Sequence, residues 1–166
     1  QMASRKGIGV TIAILVGVVA ASFLVYLIPE DTTMKITVSD FGEHLDITKE
    51  RVLMESSSID ESFKKLMEND MNQDEYIRIA EVSSSQILTL IIELKDSGAT
   101  QEWTESYVNY IGALKKLNEM ITETIVVANL MDSDDNSNSI NEIIDKIHQL
   151  KTESLDLTKK SDAARP

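Results

Sequence analysis

The sequence predicts an all-α protein in which one N-terminal transmembrane helix precedes an up-down-up-down four-helix bundle. Two observations lead to this class: an uncharged apolar segment near the N-terminus, and four later stretches with apolar residues at helical heptad spacing. The predicted boundaries run in chain order: a cytoplasmic N-terminus at 1–7, the transmembrane helix at 8–28, a connector at 29–39, the extracytoplasmic bundle at 40–160 and a tail at 161–166.

The segment 8–28 carries no charged residue. As an α-helix it would be about 31 Å long, which matches the hydrocarbon thickness of a bilayer. A cleaved signal peptide is the competing interpretation, but its apolar region is shorter and ends in small residues. Here the segment ends in bulky residues from Phe23 to Ile28, with Tyr26 at the interfacial position. We therefore expect a retained signal anchor.

Charges flanking the segment predict its orientation. Arg5 and Lys6 precede it, whereas Glu30 and Asp31 follow it. Because positively charged flanks stay in the cytoplasm, we expect a single-pass protein of the cell membrane with its C-terminal domain outside the cytoplasm.

Small residues recur every fourth position in the predicted transmembrane helix, at Gly9, Ala13 and Gly17. Such a stripe lets a partner helix approach closely in a membrane. Glycine and alanine are also common in transmembrane helices for no such reason. The stripe is thus a candidate packing surface, and the two interpretations remain open.

The third predicted bundle helix has the strongest heptad pattern, with successive spacings of four and three residues. Its members are Trp103, Tyr107, Tyr110, Leu114, Leu117, Ile121, Thr124, Ala128 and Met131. The second and fourth stretches follow the same rule. The first is less regular, and a capping box from Ser58 to Glu61 after two further serines predicts a break near Ser56–Ser58.

Residues that start and stop helices agree with these stretches. Asp40 and Asn72 are expected N-caps, and Gly98 is expected to end the second long helix. Thr100 is expected to start the third helix, and a capping box beginning at Ser139 is expected to start the fourth.

The first turns of the third helix carry three aromatic residues, Trp103, Tyr107 and Tyr110. In the predicted topology they lie at the membrane-proximal end of the bundle. Packing in the core is the favoured interpretation, because all three fall on the heptad seam. The alternative is a membrane-proximal contact with lipid headgroups or with a partner subunit.

Matching the antiparallel helices places Ser84 and Ser154 at roughly the same height in the bundle. A polar layer that forms a pocket is one interpretation. The other is that each hydroxyl bonds to a carbonyl one turn back and does nothing further.

The composition excludes several classes of function. A net charge of −12 is unsuited to binding nucleic acid, and the lack of cysteine excludes disulfide scaffolds, thiolate metal sites and a cysteine nucleophile. His44 and His148 have no ligand partners at metal-binding spacing. The acidic loop Asp132–Asn138 lacks the glycine and the bidentate glutamate of a calcium loop. We expect no enzyme activity of the chain itself, no cofactor and no small-molecule substrate.

Three classes of function fit what remains. The first is an accessory or structural subunit, which braces the outer face of a complex through contacts with integral membrane subunits. The second is a four-helix sensor or ligand-binding domain. The third is a pilin-like filament subunit, because Arg5-Lys6-Gly7 before the apolar run resembles the processing site of archaeal type IV pilins.

The layout of the whole chain, an anchor with a cytoplasmic N-terminus followed by an acidic helical domain, is similar to that of small membrane proteins of ammonia-oxidising archaea. The resemblance is one of layout and includes no diagnostic motif. It implies an accessory subunit of an ammonia monooxygenase complex, with the metal and the catalysis in other subunits.

Overall fold

The computed structural model describes residues 38–132 and 136–166, which form four α-helices and contain no strand. The helices are α1 (Phe41–Met67), α2 (Gln73–Asp96), α3 (Gln101–Leu130) and α4 (Ser137–Ala163). The prediction of an all-α four-helix bundle is confirmed. The segments 1–7 and 8–28, the stripe at Gly9, Ala13 and Gly17, and most of the connector lie outside the described residues. Among the described helices, none combines the length and apolarity of a membrane span.

Hydrogen bonds between helices establish the direction of each one. Tyr107 in α3 donates to the carbonyl oxygen of Phe41 at the start of α1, over 2.9 Å. Ser106 donates to the carbonyl oxygen of Ser161 near the end of α4, over 2.8 Å. The starts of α1 and α3 and the end of α4 therefore share one end of the bundle. We call it the basal end.

Helix α3 is the central element, because it packs against each of the other three helices. Its apolar residues at heptad spacing are largely buried, as the seam predicts. The core around it is mainly aliphatic, in keeping with the low aromatic content. Its most buried aliphatic residues are Leu45, Ile59, Leu66, Ile87, Leu90, Leu94, Leu114, Ile121 and Val127.

The predicted caps of the first two helices are confirmed. Asp40 and Asn72 each accept a hydrogen bond of 2.9 Å from the backbone N–H three residues later, which satisfies an otherwise unpaired donor. Gly98 follows α2 with a φ of +68°, a conformation that glycine adopts without strain. Helix α4 begins at Ser137, so the capping box predicted at Ser139 lies inside its first turn.

The prediction of a break near Ser56–Ser58 is wrong, because α1 is continuous from Phe41 to Met67. Ile59 and Ser62, directly after the serines, are buried against the bundle and hold the helix in register. Glu61 does not reach back to cap Ser58. It pairs instead with Lys65 one turn ahead, at 2.9 Å. Packing outweighs the modest cost of serine in a helix, about 0.5 kcal/mol per residue.

The fourth helix also extends beyond its predicted end at residue 160. It runs to Ala163, and Ser161 is fully buried against Ser106. Helix α4 packs directly on α3 along its length: a methyl group added at Gly112 would lie 3.4 Å from Leu157, at ordinary contact distance. The predicted tail at 161–166 therefore begins too early, because its first three residues continue α4 and the first of them, Ser161, is buried.

Candidate partner-contact site

The basal end carries a compact group of aromatic and charged side chains, which we call the basal cluster. It brings together the first turn of α1, the first turns of α3 and the second residue after the end of α4. Its members are Phe41, His44, Trp103, Tyr107 and Arg165.

Three aromatic rings form the centre of the basal cluster. The Tyr107 ring meets Phe41 edge-on, with 5.8 Å between centroids, and meets Trp103 edge-on at 6.4 Å. Phe41 and Trp103 are tilted, with 6.5 Å between centroids. Edge-to-face pairs of this kind each contribute about 0.5–1.5 kcal/mol beyond the area that they bury. The rings therefore join the start of α1 firmly to the start of α3.

Gly42 is the residue that lets Trp103 lie so close to α1. A methyl group built at Gly42 would be 3.2 Å from Trp103 Cη2 and 3.3 Å from Asp40 Oδ1, which is tighter than an ordinary contact. Trp103 is only half-buried, whereas Tyr107 and Tyr110 are each 2% exposed. Of the three predicted aromatic residues, Trp103 is thus the one with surface available to a partner.

A chain of hydrogen bonds crosses the cluster. Tyr107 uses its only hydroxyl proton to reach the Phe41 carbonyl, so the 2.8 Å contact between His44 Nδ1 and Tyr107 Oη requires His44 to donate. Burial lowers the pKa of His44, opposed by the nearby Glu93 and assisted by Arg51. Burial also raises the pKa of Tyr107 to about 12, so its hydroxyl stays protonated at neutral pH.

Two cations close the basal end over the aromatic rings. Arg165 donates to the Gly42 carbonyl oxygen over 3.0 Å and to Asp46 Oδ1 over 2.7 Å. Its guanidinium carbon lies 5.8 Å from the centroid of the Trp103 ring. Lys49 pairs with Asp162 and lies over the Tyr110 ring at 5.4 Å. The end of α4 is thereby bound to the first turns of α1.

The two serines of the predicted polar layer bond at different heights of α3. Ser84 donates to Asn118 Oδ1 over 2.6 Å, and Ser154 donates to the carbonyl oxygen of Ala113 over 2.8 Å. Each hydroxyl links its helix to α3 instead of bonding one turn back. Neither of these bonds brings the two serines together, and the pocket between them stays a prediction.

An open cleft of about 390 Å³ lies at the opposite end of the bundle. The ends of α1 and α3 and the loop before α2 form it, with both apolar and polar side chains in its lining. Its lining includes Leu66, Met71, Met131, Asn69 and Asp74. Within the described residues, no three His, Asp or Glu side chains converge in a way that could hold a metal ion.

Sequence reasoning singled out Trp103 and Tyr107 of the basal cluster, together with Tyr110 outside it, but did not bring the other three members to them. Phe41 was detectable as the first apolar residue after the Asp40 cap. The place of Arg165 in the cluster was not detectable. Arg165 lies in the predicted tail, and its hydrogen bond to Gly42 joins residues 123 positions apart in the sequence.

Comparison of this chain with protein-family models, with curated proteins and with solved structures finds no match in any of the three.

Proposed function

We propose that this chain is a non-catalytic, membrane-anchored accessory subunit that braces the extracytoplasmic face of a multi-subunit membrane complex. Residues 8–28 would supply the anchor, with Gly9, Ala13 and Gly17 facing a neighbouring transmembrane helix. The bundle would contact integral membrane subunits through its basal end. The layout resemblance suggests an archaeal ammonia monooxygenase as that complex.

The observation that carries the proposal is the way in which the basal end is tied together. The chain enters the bundle at Asp40 and Phe41, which follow the predicted connector. From there, hydrogen bonds and ring contacts lead directly to α3 and α4. Because its first residues are bonded to α3 and α4, the bundle would be held rigidly as one unit relative to the chain that enters it. Such rigidity is what a structural subunit requires.

Trp103 is the residue that we expect to contact the partner. It is half-buried and large, and its ring meets Tyr107 edge-on. Tryptophan is enriched among the residues that dominate binding at protein interfaces. Its neighbours Phe41 and Tyr107 fix its position, so little side-chain entropy would be lost on binding.

The test is native mass measurement of the full chain extracted from its own membranes in a mild detergent, with identification of co-migrating proteins. We expect polytopic subunits to co-migrate at fixed stoichiometry. A Trp103→Leu variant keeps an apolar residue at the seam, and we expect it to weaken co-migration at least tenfold.

A Val82→Leu variant serves as the matched control, because Val82 is exposed on α2, away from the basal cluster. We expect it to co-migrate like the unaltered chain. Recovery of the chain without any polytopic protein, under conditions that preserve other membrane complexes, would contradict the proposal. Equal effects of the two variants would remove Trp103 from the contact.

A further inference from the structure

We propose that two copies of this chain associate in antiparallel orientation through the outer surface shared by α2 and α3, with α2 lying on α2 and α3 on α3. We call this surface the α2–α3 face. A twofold axis would run between the two copies at right angles to their helices. It would lie at the height of position 117 on α3 and between positions 84 and 85 on α2.

Helical spacing defines the α3 part of the face. Asn118 bonds to Ser84 on α2. Glu123 pairs with Lys146 on α4. These bonds mark the sides of α3 that neighbour each helix, and at about 100° per residue the positions between them, away from the core, belong to the face. They include Val108, Ile111, Lys115, Glu119, Thr122 and Val126.

The α2 part of the face follows in the same way. Ser84 marks the side of α2 that neighbours α3. Glu93 pairs with Arg51 at 2.7 Å and so marks the side that neighbours α1. The outer residues on the half nearer α3 belong to the face. They are Asp74, Ile77, Glu81, Ser85, Leu88, Ile92 and Lys95.

The face is apolar over much of its length. Val108 is 61% exposed and Ile92 38%. Leu88, Ile111 and Val126 are half-buried. Helix α3 thus carries apolar residues on its outer side as well as toward the core. A helix that is apolar on all sides is typical of one that is covered on all sides, so the outer side of α3 indicates a further covering partner.

The face residues of α3 are self-complementary about position 117. Val108 and Val126 are each nine positions from it. Lys115 and Glu119 are each two positions from it. An antiparallel pair of α3 helices centred there brings Val108 of one copy against Val126 of the other. Lys115 meets Glu119 in the same way, and the twofold axis repeats both contacts.

Helix α2 has the same property about the point between positions 84 and 85. Ile77 and Ile92 are equally far from this point, on opposite sides of it. The same is true of Asp74 and Lys95. Antiparallel α2 helices centred there place isoleucine against isoleucine and each lysine against an aspartate, again twice per dimer.

The centres of the two helices lie at the same height in the bundle. Ser84 donates to Asn118 Oδ1 over 2.6 Å, and Tyr76 donates to Thr124 Oγ1 over 2.6 Å. In antiparallel helices, these two bonds place position 117 of α3 level with positions 83–85 of α2. One twofold axis therefore serves both helices, although each centre follows from the residues of its own helix.

Charge favours this arrangement over a parallel dimer. With the axis along the helices, α2 of one copy would lie on α3 of the other, and Glu81 would meet Glu119 at the same height. In the antiparallel dimer, Lys95 and Lys115 each gain an acidic partner instead. Both lysines are exposed, and neither forms an ion pair among the described residues. In a chain of net charge −12, such matching is what identifies a second copy as the occupant.

The size of the face fits a specific dimer. Helix α2 has 24 residues and α3 has 30, so the strip that they share is about 36 Å long and about 20 Å wide. Such a strip offers about 700 Å² on each copy, which lies within the range of specific interfaces.

The antiparallel arrangement points the basal ends of the two copies in opposite directions. Two copies anchored in one membrane would need one bundle to be inverted. Its connector, 29–39, would then have to extend fully alongside the bundle, over about 36 Å. Copies anchored in two facing membranes need no such extension. We therefore expect the α2–α3 face to join chains across the gap between two membranes, and this step alone rests on the proposed anchor.

Charge reversal in the full chain tests the face. Sedimentation analysis in mild detergent should show a dimer of the unaltered chain. Lys115→Glu and Glu119→Lys each place like charges against each other twice per dimer, and we expect each to weaken dimerisation at least tenfold. An equal mixture of the two variants should form mixed dimers as tightly as the unaltered chain, because unlike charges then meet at both contacts.

Glu50→Lys is the matched control for charge, because Glu50 is exposed on α1 and the change in charge equals that of Glu119→Lys. We expect it to dimerise like the unaltered chain, and circular dichroism should show equal helix content in all variants. A monomeric unaltered chain, or a mixture no tighter than the single variants, would overturn the proposal. So would equal effects of Glu50→Lys and Glu119→Lys.

Crosslinking tests the antiparallel orientation. Because the chain has no cysteine, single cysteines can be placed at will. A mixture of Val108→Cys and Val126→Cys chains, treated with a short bis-maleimide, should give a mixed dimer. Val108→Cys alone should not crosslink, because the two copies of position 108 lie about 27 Å apart along the dimer. Crosslinking of Val108→Cys with itself and not with Val126→Cys would rule out this orientation.

Phosphatidylcholine vesicles that carry the full chain test the contact between membranes. Light scattering should show that the unaltered chain clusters them. Vesicles with Lys115→Glu should stay apart until vesicles with Glu119→Lys are added. Dimers in detergent without clustering of vesicles would overturn the contact between membranes and leave the dimer intact. Co-migration of polytopic subunits with a Lys115→Glu chain would leave the accessory role intact, so the two proposals fail separately.

Discussion

At the scale of single residues, the basal cluster depends on a series of hydrogen bonds in which each polar group is the partner of the next. The Tyr107 hydroxyl accepts from His44 and donates to Phe41, so it is both donor and acceptor. Among these hydrogen-bonded groups, His44 is the one of a residue type that gains a proton at mildly acidic pH. Gly42 contributes in two ways, because its carbonyl oxygen accepts a hydrogen bond from Arg165 and its missing side chain leaves space for Trp103.

His44 makes the stability of the bundle depend on pH. Its pKa in the folded chain is lowered from 6.5, so the unfolded chain binds a proton more readily, and stability is lost as the pH falls below about 6.5. We expect the melting temperature of the unaltered chain to fall more between pH 7.5 and 5.5 than that of His44→Gln. His148→Gln is the matched control, because His148 is exposed. The idea fails if both variants show the same fall.

Gly42 and Gly112 allow a matched comparison. Alanine is a better helix former than glycine by about 1 kcal/mol, so helix propensity alone would make either alanine variant more stable to unfolding. At Gly42 we expect that gain to be cancelled, because the new methyl group displaces Trp103. At Gly112 the contact with Leu157 is ordinary, and we expect a net gain of about 0.5–1 kcal/mol.

The chain contains one tryptophan, so its fluorescence reports on this displacement directly. Gly42→Ala should shift the emission maximum to longer wavelength, whereas Gly112→Ala should not. Urea unfolding followed by circular dichroism gives the two free energies. An unshifted emission for Gly42→Ala would show that Trp103 accommodates the methyl group without moving.

At the scale of helices, heptad spacing and local caps were sufficient to predict most of the architecture. The seam from Trp103 to Met131 corresponds to α3, and Asp40, Asn72 and Gly98 mark helix ends as expected. The errors arose where local signals competed with packing. Ser58 and Glu61 match a capping box in sequence, yet burial of Ile59 and Ser62 keeps α1 intact.

Ser58→Ala distinguishes the continuous helix from the broken one. Ser58 is exposed in the middle of α1, so alanine should stabilise the bundle by about 0.5 kcal/mol. If Ser58 capped a second helix, the same change would cost about 1 kcal/mol. Urea unfolding of the unaltered chain and of Ser58→Ala shows whether the change raises or lowers the free energy of unfolding. A lower value for Ser58→Ala would contradict a continuous α1.

Ser161 tests whether the last turns of α4 belong to the core. It is fully buried, and Ser106 donates to its carbonyl oxygen. Ser161→Leu adds a large side chain to a filled space, so we expect a loss of about 1–3 kcal/mol. Ser161→Ala keeps the volume and the carbonyl acceptor and should cost less, about 1 kcal/mol. Equal and negligible effects in thermal melts would mean that residues after 160 are not packed.

At the scale of the bundle, connectivity was more predictable than the contacts that join distant segments. Four amphipathic helices with short loops predict antiparallel neighbours from local rules alone. The basal cluster needed tertiary information, because Arg165 and Gly42 meet only after α4 has returned to the start of α1. The same holds for Ser84 and Ser154. No sequence pattern identifies Asn118 and Ala113 as their hydrogen-bond partners.

The bond between Arg165 and Gly42 has a practical consequence for engineering this domain. It places the two ends of the bundle side by side, so a few glycines and serines should suffice to join them in a circular permutant. New termini opened in the loop between Met67 and Gln73 would leave every helix uncut. We expect such a permutant to keep its cooperative thermal transition. It could then be grafted into an exposed loop of a host protein as a four-helix insert, with both connections at a single point.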